Sequence, residues 1–122
     1  MEIEKKTPPR KFSVGLENIK ISHVANIHLE NDQMVTFVTN DGTEYDVIKK
    51  NWGYYATPSL GGRLRKFSLK AAIMRNIDTR QCFIILAHEN RIDLLHDYMT
   101  KERQEIVMWL DDFEKLSNIK LI

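Results

Sequence analysis

Cysteine is almost missing from this chain of 122 residues: Cys82 stands alone, so no internal disulfide can form. A lone thiol inside an apolar run reads as a small packing residue and not as a nucleophile. Long apolar runs are missing too. The longest uncharged one, residues 82–87, falls far short of the ~20 residues that cross a bilayer as a helix, so no membrane span is expected. The first six residues carry acids where a secretory leader has an apolar stretch, which points to a cytoplasmic protein. No Walker or dinucleotide fingerprint occurs, and Ser59 lacks a G-x-S-x-G setting. His23 and His28 are five positions apart, while His88 and His96 have no ligand partner at metal-binding spacing. Asp111 and Asp112 are adjacent, so on a helix they diverge by about 100°. With no acid, base, nucleophile or metal set in view, the chain leans away from an enzyme, and no cofactor is implied.

A second absence is local. Residues 47–77 contain no Asp or Glu, yet they hold Lys49, Lys50, Arg63, Arg65, Lys66, Lys70 and Arg75. The whole chain has 17 acids in 122 residues, so about four are expected in a span of that length. The formal net charge of +1 therefore hides an uneven distribution. If the fold gathers these cations, they create a local positive field.

What is present suits one α+β domain over residues 16–122, preceded by a flexible arm at residues 1–15. The pair Pro8-Pro9 forbids helix there and disfavours central sheet. Residues 19–29 alternate as a half-buried strand does, and residues 34–38 and 43–49 flank Asn40-Asp41-Gly42, a strong hairpin signal. Residues 69–75 and 81–88 read as two further strands. The second is continuously apolar over 82–87, as expected of a central strand covered on both faces. Asn90 offers a helix N-cap, with Asp93 three positions on. Apolar residues then recur every three or four positions from Ile92 to Leu116, interrupted at Glu102. Two readings fit: one helix over about 90–115, which the periodicity favours, or a helix ending near Arg103 and then a strand over 105–110. The expected fold is an antiparallel sheet of five to six strands with a C-terminal helix packed on one face. A helix that protruded would be covered in a homodimer.

The stretch NWGYYATPSLGGRLRKF, residues 51–67, concentrates the features of a binding site. Trp52, Tyr54 and Tyr55 can stack on a base or sugar face, or they can pack in the core. Thr57-Pro58 is a plausible helix start, while Gly61 and Gly62 disfavour helix by about 1 kcal/mol each relative to alanine. Glycines beside Ser59 and Arg63 let backbone N–H groups approach an anion, and an ordinary surface loop explains the same residues. Arg63 and Arg65 supply guanidinium forks that match phosphate or carboxylate.

The block KNWGYYATPSLGGRLRKFSLKAAIMRN resembles a segment of small bacterial proteins encoded among genes for surface polysaccharides and nucleotide-activated sugars. The shared pattern is Trp-Gly-aromatic-Tyr-Ala-Thr-Pro-Ser followed by Gly-Arg-Leu. It corresponds here to Trp52, Tyr54, Tyr55, Thr57, Pro58, Ser59, Gly62 and Arg63, and Gly61 departs from it. The resemblance implies a setting in surface-glycan synthesis and no particular reaction. Two function classes follow. One is a non-catalytic accessory protein that binds a nucleotide-sugar, a phosphosugar or a partner enzyme through Trp52, Tyr54, Tyr55, Thr57, Ser59, Gly62, Arg63 and Arg65. The other is a small RNA or single-strand-binding module, against which the near-neutral charge counts.

Overall fold

The computed structural model describes residues 1–120 and divides into two compact units, Met1–Pro58 and a second beginning at Ser59. In the first unit, β1 (Glu2–Val14) pairs antiparallel with β2 (Ile19–His28) in a two-stranded ribbon. The turn between them carries Gly15 at φ +77° and Asn18 at φ +49°, residue types that tolerate left-handed backbone. The ladder runs from Glu2↔His28 to Lys5↔Ala25 and resumes at Arg10↔His23, so Lys6, Thr7, Pro8 and Pro9 together oppose Val24. Proline has no N–H to give to a ladder, so the strand bulges where the two prolines fall. The stretch expected as a flexible arm, residues 1–15, holds this strand, paired along the ribbon with β2.

The second sheet is β3 (Met34–Val38), β4 (Glu44–Lys50) and β5 (Gly53–Ala56), in that order and antiparallel. The Asp-Gly signal forms the expected hairpin. Gly42, at φ +86°, donates its N–H to the Thr39 carbonyl at 2.9 Å, and the Thr39 N–H bonds the Thr43 carbonyl at 3.0 Å. β4 carries the buried Asp46, whose carboxylate accepts the Thr36 hydroxyl at 2.6 Å across the ladder.

The second unit holds α1 (Arg63–Lys66), β6 (Leu69–Asn76), β7 (Cys82–His88), α2 (Ile92–Glu102), β8 (Gln104–Trp109) and α3 (Phe113–Ser117). Its sheet runs β7-β6-β8, entirely antiparallel. The buried aliphatic residues of this unit, among those described, are Leu64, Leu69, Ala71, Ala72 and Met74, four of them on β6 and the fifth on α1. β6 is the strand flanked on both sides, which is why its small and aliphatic side chains are the ones sealed from water.

Mostly antiparallel β-structure with few helices is therefore observed, in sheets of two, three and three strands instead of one sheet of five or six. β2 pairs with β1 and not with β3, and β7, expected in the centre of a sheet, is an edge. Asn90 does not cap α2: it sits in a 3-10 turn, Glu89–Arg91, and Arg91 precedes the helix without a side-chain cap. The long helix is also corrected, since α2 ends at Glu102 and residues 104–109 are strand.

The turn after β6 explains that ending. The Asn76 amide donates to the Glu102 carbonyl at 3.3 Å, and the Ile77 N–H donates to the Arg103 carbonyl at 2.9 Å. The Arg103 guanidinium grips both oxygens of Asp78, at 2.7 and 3.0 Å. Held at its carbonyl and its side chain, Arg103 takes a left-handed φ of +55°, and the chain leaves the helix in the direction of β8. No glycine marks the place, so periodicity alone runs through it.

Two outcomes test this description. Leu64 is 2% exposed, so Leu64→Ala should lower the unfolding free energy by about 3 kcal/mol in chemical denaturation. The Arg103 hydrogen bond holds the Asp78 carboxyl below the usual carboxylate range. A depressed carboxyl contributes stability above its unfolded pKa and loses it as pH falls through the folded value, a window below about pH 4. In Arg103→Gly, which accepts the left-handed backbone, NMR titration of Asp78 should return toward the ordinary range.

Candidate functional site

The β4–β5 hairpin turns through Asn51 and Trp52, with Lys50↔Gly53, Lys49↔Tyr54, Ile48↔Tyr55 and Val47↔Ala56 facing one another. Gly53 lies at φ +145°, where a side chain is strained, and this closes a two-residue turn with Trp52 at its tip. The rings are not core. Trp52 is 66% exposed, Tyr54 69% and Tyr55 52%, which removes the packing explanation for their presence. Trp52 and Tyr55 meet edge to face at 6.5 Å between centroids, so each limits the other's freedom. The Lys49 ammonium stands 5.8 Å from the Tyr54 centroid and 3.5 Å from the Asn31 amide oxygen, and it also reaches the Lys50 carbonyl.

Thr57 anchors the strand that carries these rings. Its N–H donates to the Asp46 carbonyl at 3.2 Å and its hydroxyl lies 3.4 Å from the Asp46 carboxylate. Thr57 therefore positions β5 against β4 from within, a structural duty for a residue expected to contact ligand.

In the second unit, the Ser59 carbonyl accepts N–H groups from both Gly62 and Leu64, each at 3.2 Å. A Cβ on Gly62 would meet the Ser59 hydroxyl oxygen, so a side chain there would make the serine side chain turn away. The Gly62 N–H, expected to face an anion, is engaged inside the turn. The Arg63 guanidinium lies 5.7 Å from the Phe67 centroid, and Arg65 and Lys66 are exposed. α1 is only four residues long, so its amino end supplies little dipole.

The structure thus brings Trp52, Tyr54 and Tyr55 together on one hairpin, and Ser59, Gly62 and Arg63 into one turn, with Arg65 following. The acid-free span is not acid-free in space. Lys50 pairs with Asp32, the Lys70 ammonium lies 3.9 Å from Asp111 and 4.4 Å from the Trp109 centroid, and Arg75 holds Glu105 at 2.7 Å. Lys50, Lys70 and Arg75 thus meet acids from elsewhere in the chain. Asp46, and Lys49 as a neighbour of the rings and not merely one of seven cations, are the contributors that sequence reasoning missed. Recognising Asn51-Trp52 as a two-residue turn would have placed Lys49 opposite Tyr54, whereas nothing in the sequence distinguishes Asp46 as buried. Among the described residues no three His, Cys, Asp or Glu side chains gather as a metal site, and no helix is long and apolar enough to cross a membrane.

Exposure and burial separate the roles of these residues. Trp52→Ala and Tyr55→Ala should each change the unfolding free energy by no more than about 0.5 kcal/mol in chemical denaturation. Asp46→Ala, which strips partners from the Thr36 and Thr57 hydroxyls, should cost about 2 kcal/mol. No protein-family model, curated protein or solved structure matches this chain, so the geometry of the hairpin carries the functional argument.

Proposed function

We propose that this chain is a non-catalytic binding protein that holds the sugar or base of an anionic sugar derivative, a nucleotide-sugar or phosphosugar, against the β4–β5 hairpin. The observation that carries the reading is the exposure of Trp52, Tyr54 and Tyr55 beside Lys49 on a single turn. Three large rings in water have no role in packing, and such rings are the usual platforms for sugar faces and bases. Lys49 contributes positive charge next to the Tyr54 ring, where a phosphate attached to a stacked ring would benefit. Tyr55 backs Trp52, so the platform is held before a ligand arrives, which lowers the ordering cost of binding. Arg63 and Arg65, in the other unit, are assigned to an acidic patch of a partner enzyme. The resemblance of residues 50–76 to proteins of surface-polysaccharide loci supplies the proposed setting, surface-glycan synthesis.

The same rings and cations suit single-stranded RNA, and salt dependence separates the two. Backbone binding to RNA weakens steeply as counterions are released, while a site for one phosphosugar has a shallow slope. UDP-glucose and glucose 1-phosphate, compared with an oligouridine in thermal-shift and calorimetric titrations, provide the test. UDP-glucose should bind with a shallow salt slope, and the double variant Trp52→Ala/Tyr54→Ala should lose at least tenfold in affinity with its melting temperature unchanged. Undiminished UDP-glucose binding in that variant would overturn the assignment to the hairpin, as would preference for the oligouridine with a steep salt slope.

A further inference from the structure

The edge of the second unit's sheet presented by β7 is unprotected in a way that its other edge is not. On β8, two successive residues, Ile106 and Val107, fall where the register with β6 shifts between Ile73 and Met74, so that edge is bulged. β8 also carries Glu105, paired with Arg75. Bulges and charges are the means by which natural sheet edges avoid pairing with another chain. β7 has neither: its ladder runs unbroken from Leu69↔His88 to Arg75↔Cys82, and residues 82–87 contain no charge and no proline.

Which backbone groups lie open follows from the ladder. The Asn76 N–H bonds the Gln81 carbonyl and the Glu89 N–H bonds the Ser68 carbonyl, fixing odd-numbered β7 residues as those that bond to β6. In an antiparallel pair the alternate residues point both N–H and C=O the other way. Cys82, Ile84 and Leu86 therefore present their backbone groups outward, and no described strand pairs with them. Their side chains are open as well. Ile84 is 78% exposed, Phe83 44% and Leu86 38%.

We propose that two copies of the chain pair antiparallel through β7 to form one six-stranded sheet, β8-β6-β7-β7-β6-β8. The two-fold axis passes through Ile85. In that register Ile84 faces Leu86 of the second copy and Cys82 faces its His88, which places outward-pointing backbone groups opposite one another. On one face Ile84 packs on Leu86. On the other, Ile85 meets its own counterpart and Phe83 lies beside the small Ala87. A second copy is favoured over a foreign strand because an antiparallel pairing about a two-fold is self-complementary, matching every open donor with an acceptor of identical spacing. It also gives β7 the central position that its uninterrupted apolar composition implies. An edge pairing of this length buries on the order of 1,000 Å² in total, the lower end for a specific interface, so micromolar association is expected.

The test is sedimentation velocity from about 1 µM to about 200 µM, a range that brackets micromolar association. The wild-type chain should pass from monomer to dimer over this range, and Ile84→Lys should stay monomeric with an unchanged circular dichroism spectrum and melting temperature, because that side chain is already in water. Directly opposite residues of a non-hydrogen-bonded pair lie at about 4.5 Å between Cα atoms, within disulfide reach. Cys82→Ser/Ile85→Cys should therefore cross-link to a dimer on mild oxidation, and Cys82→Ser/Val107→Cys, on the other edge, should not. A chain that stays monomeric throughout, a dimer that persists in Ile84→Lys, or cross-linking at Val107 in place of Ile85 would each overturn the proposal.

Discussion

The seizure of Arg103 by the turn after β6 is the constraint on which the second unit depends. Asn76, Ile77 and Asp78 hold the Glu102 carbonyl, the Arg103 carbonyl and the Arg103 guanidinium. These contacts stop α2, reverse the chain and deliver residues 104–109 alongside β6. Without that delivery β6 would have one neighbour, and Ala72 and Met74 would lack the cover that seals them. Asn76 also organises its own turn, since its side-chain oxygen accepts the N–H groups of Asp78 and Thr79 at 2.9 and 2.8 Å. The acceptor side of the clamp, Asp78, is thus held in an organised local turn.

The first unit solves a different problem with less apolar cover. Among its described apolar residues only Pro58, at its end, is buried, and a carboxylate, Asp46, tied to Thr36 and Thr57, is sealed within it. A buried acid satisfied by hydroxyls fixes geometry more than it adds stability. Here it ties β3 and β4 to Thr57, the residue that follows β5. The rings of the β4–β5 hairpin stand on that frame in water, so stacking chemistry rests on a polar anchor and not on an apolar core.

Some of this was legible. The Asp-Gly hairpin, the strands at residues 69–75 and 81–88, and the start of a helix near residue 92 follow from local propensity and short-range periodicity. The location of the exposed rings was also readable, because three aromatics in four residues exceed what one strand face can bury. Their exposure was not, since a ring packs equally well in a core. The cationic span misled for a related reason: charge density along a sequence counts neighbours in one dimension, while Asp32, Asp111 and Glu105 arrive from distant positions to meet Lys50, Lys70 and Arg75. Gly62 shows the same limit. Its N–H turns to the Ser59 carbonyl and not toward an anion.

Alternation, turn residues and composition dictated that this chain would be built mainly of antiparallel strands joined by short turns, because each of those features acts within a few residues. They also dictated where the stacking rings and guanidinium groups cluster along the chain. Where α2 stops, which strand becomes an edge and which cations meet acids were left to contacts between residues distant in sequence, 18 positions apart for Lys50 and Asp32 and 25 for Arg103 and Asp78. Hydrogen bonds from residues 76–78 to Glu102 and Arg103 accompany the end of the helical periodicity, because a residue held in left-handed backbone cannot propagate a right-handed helix.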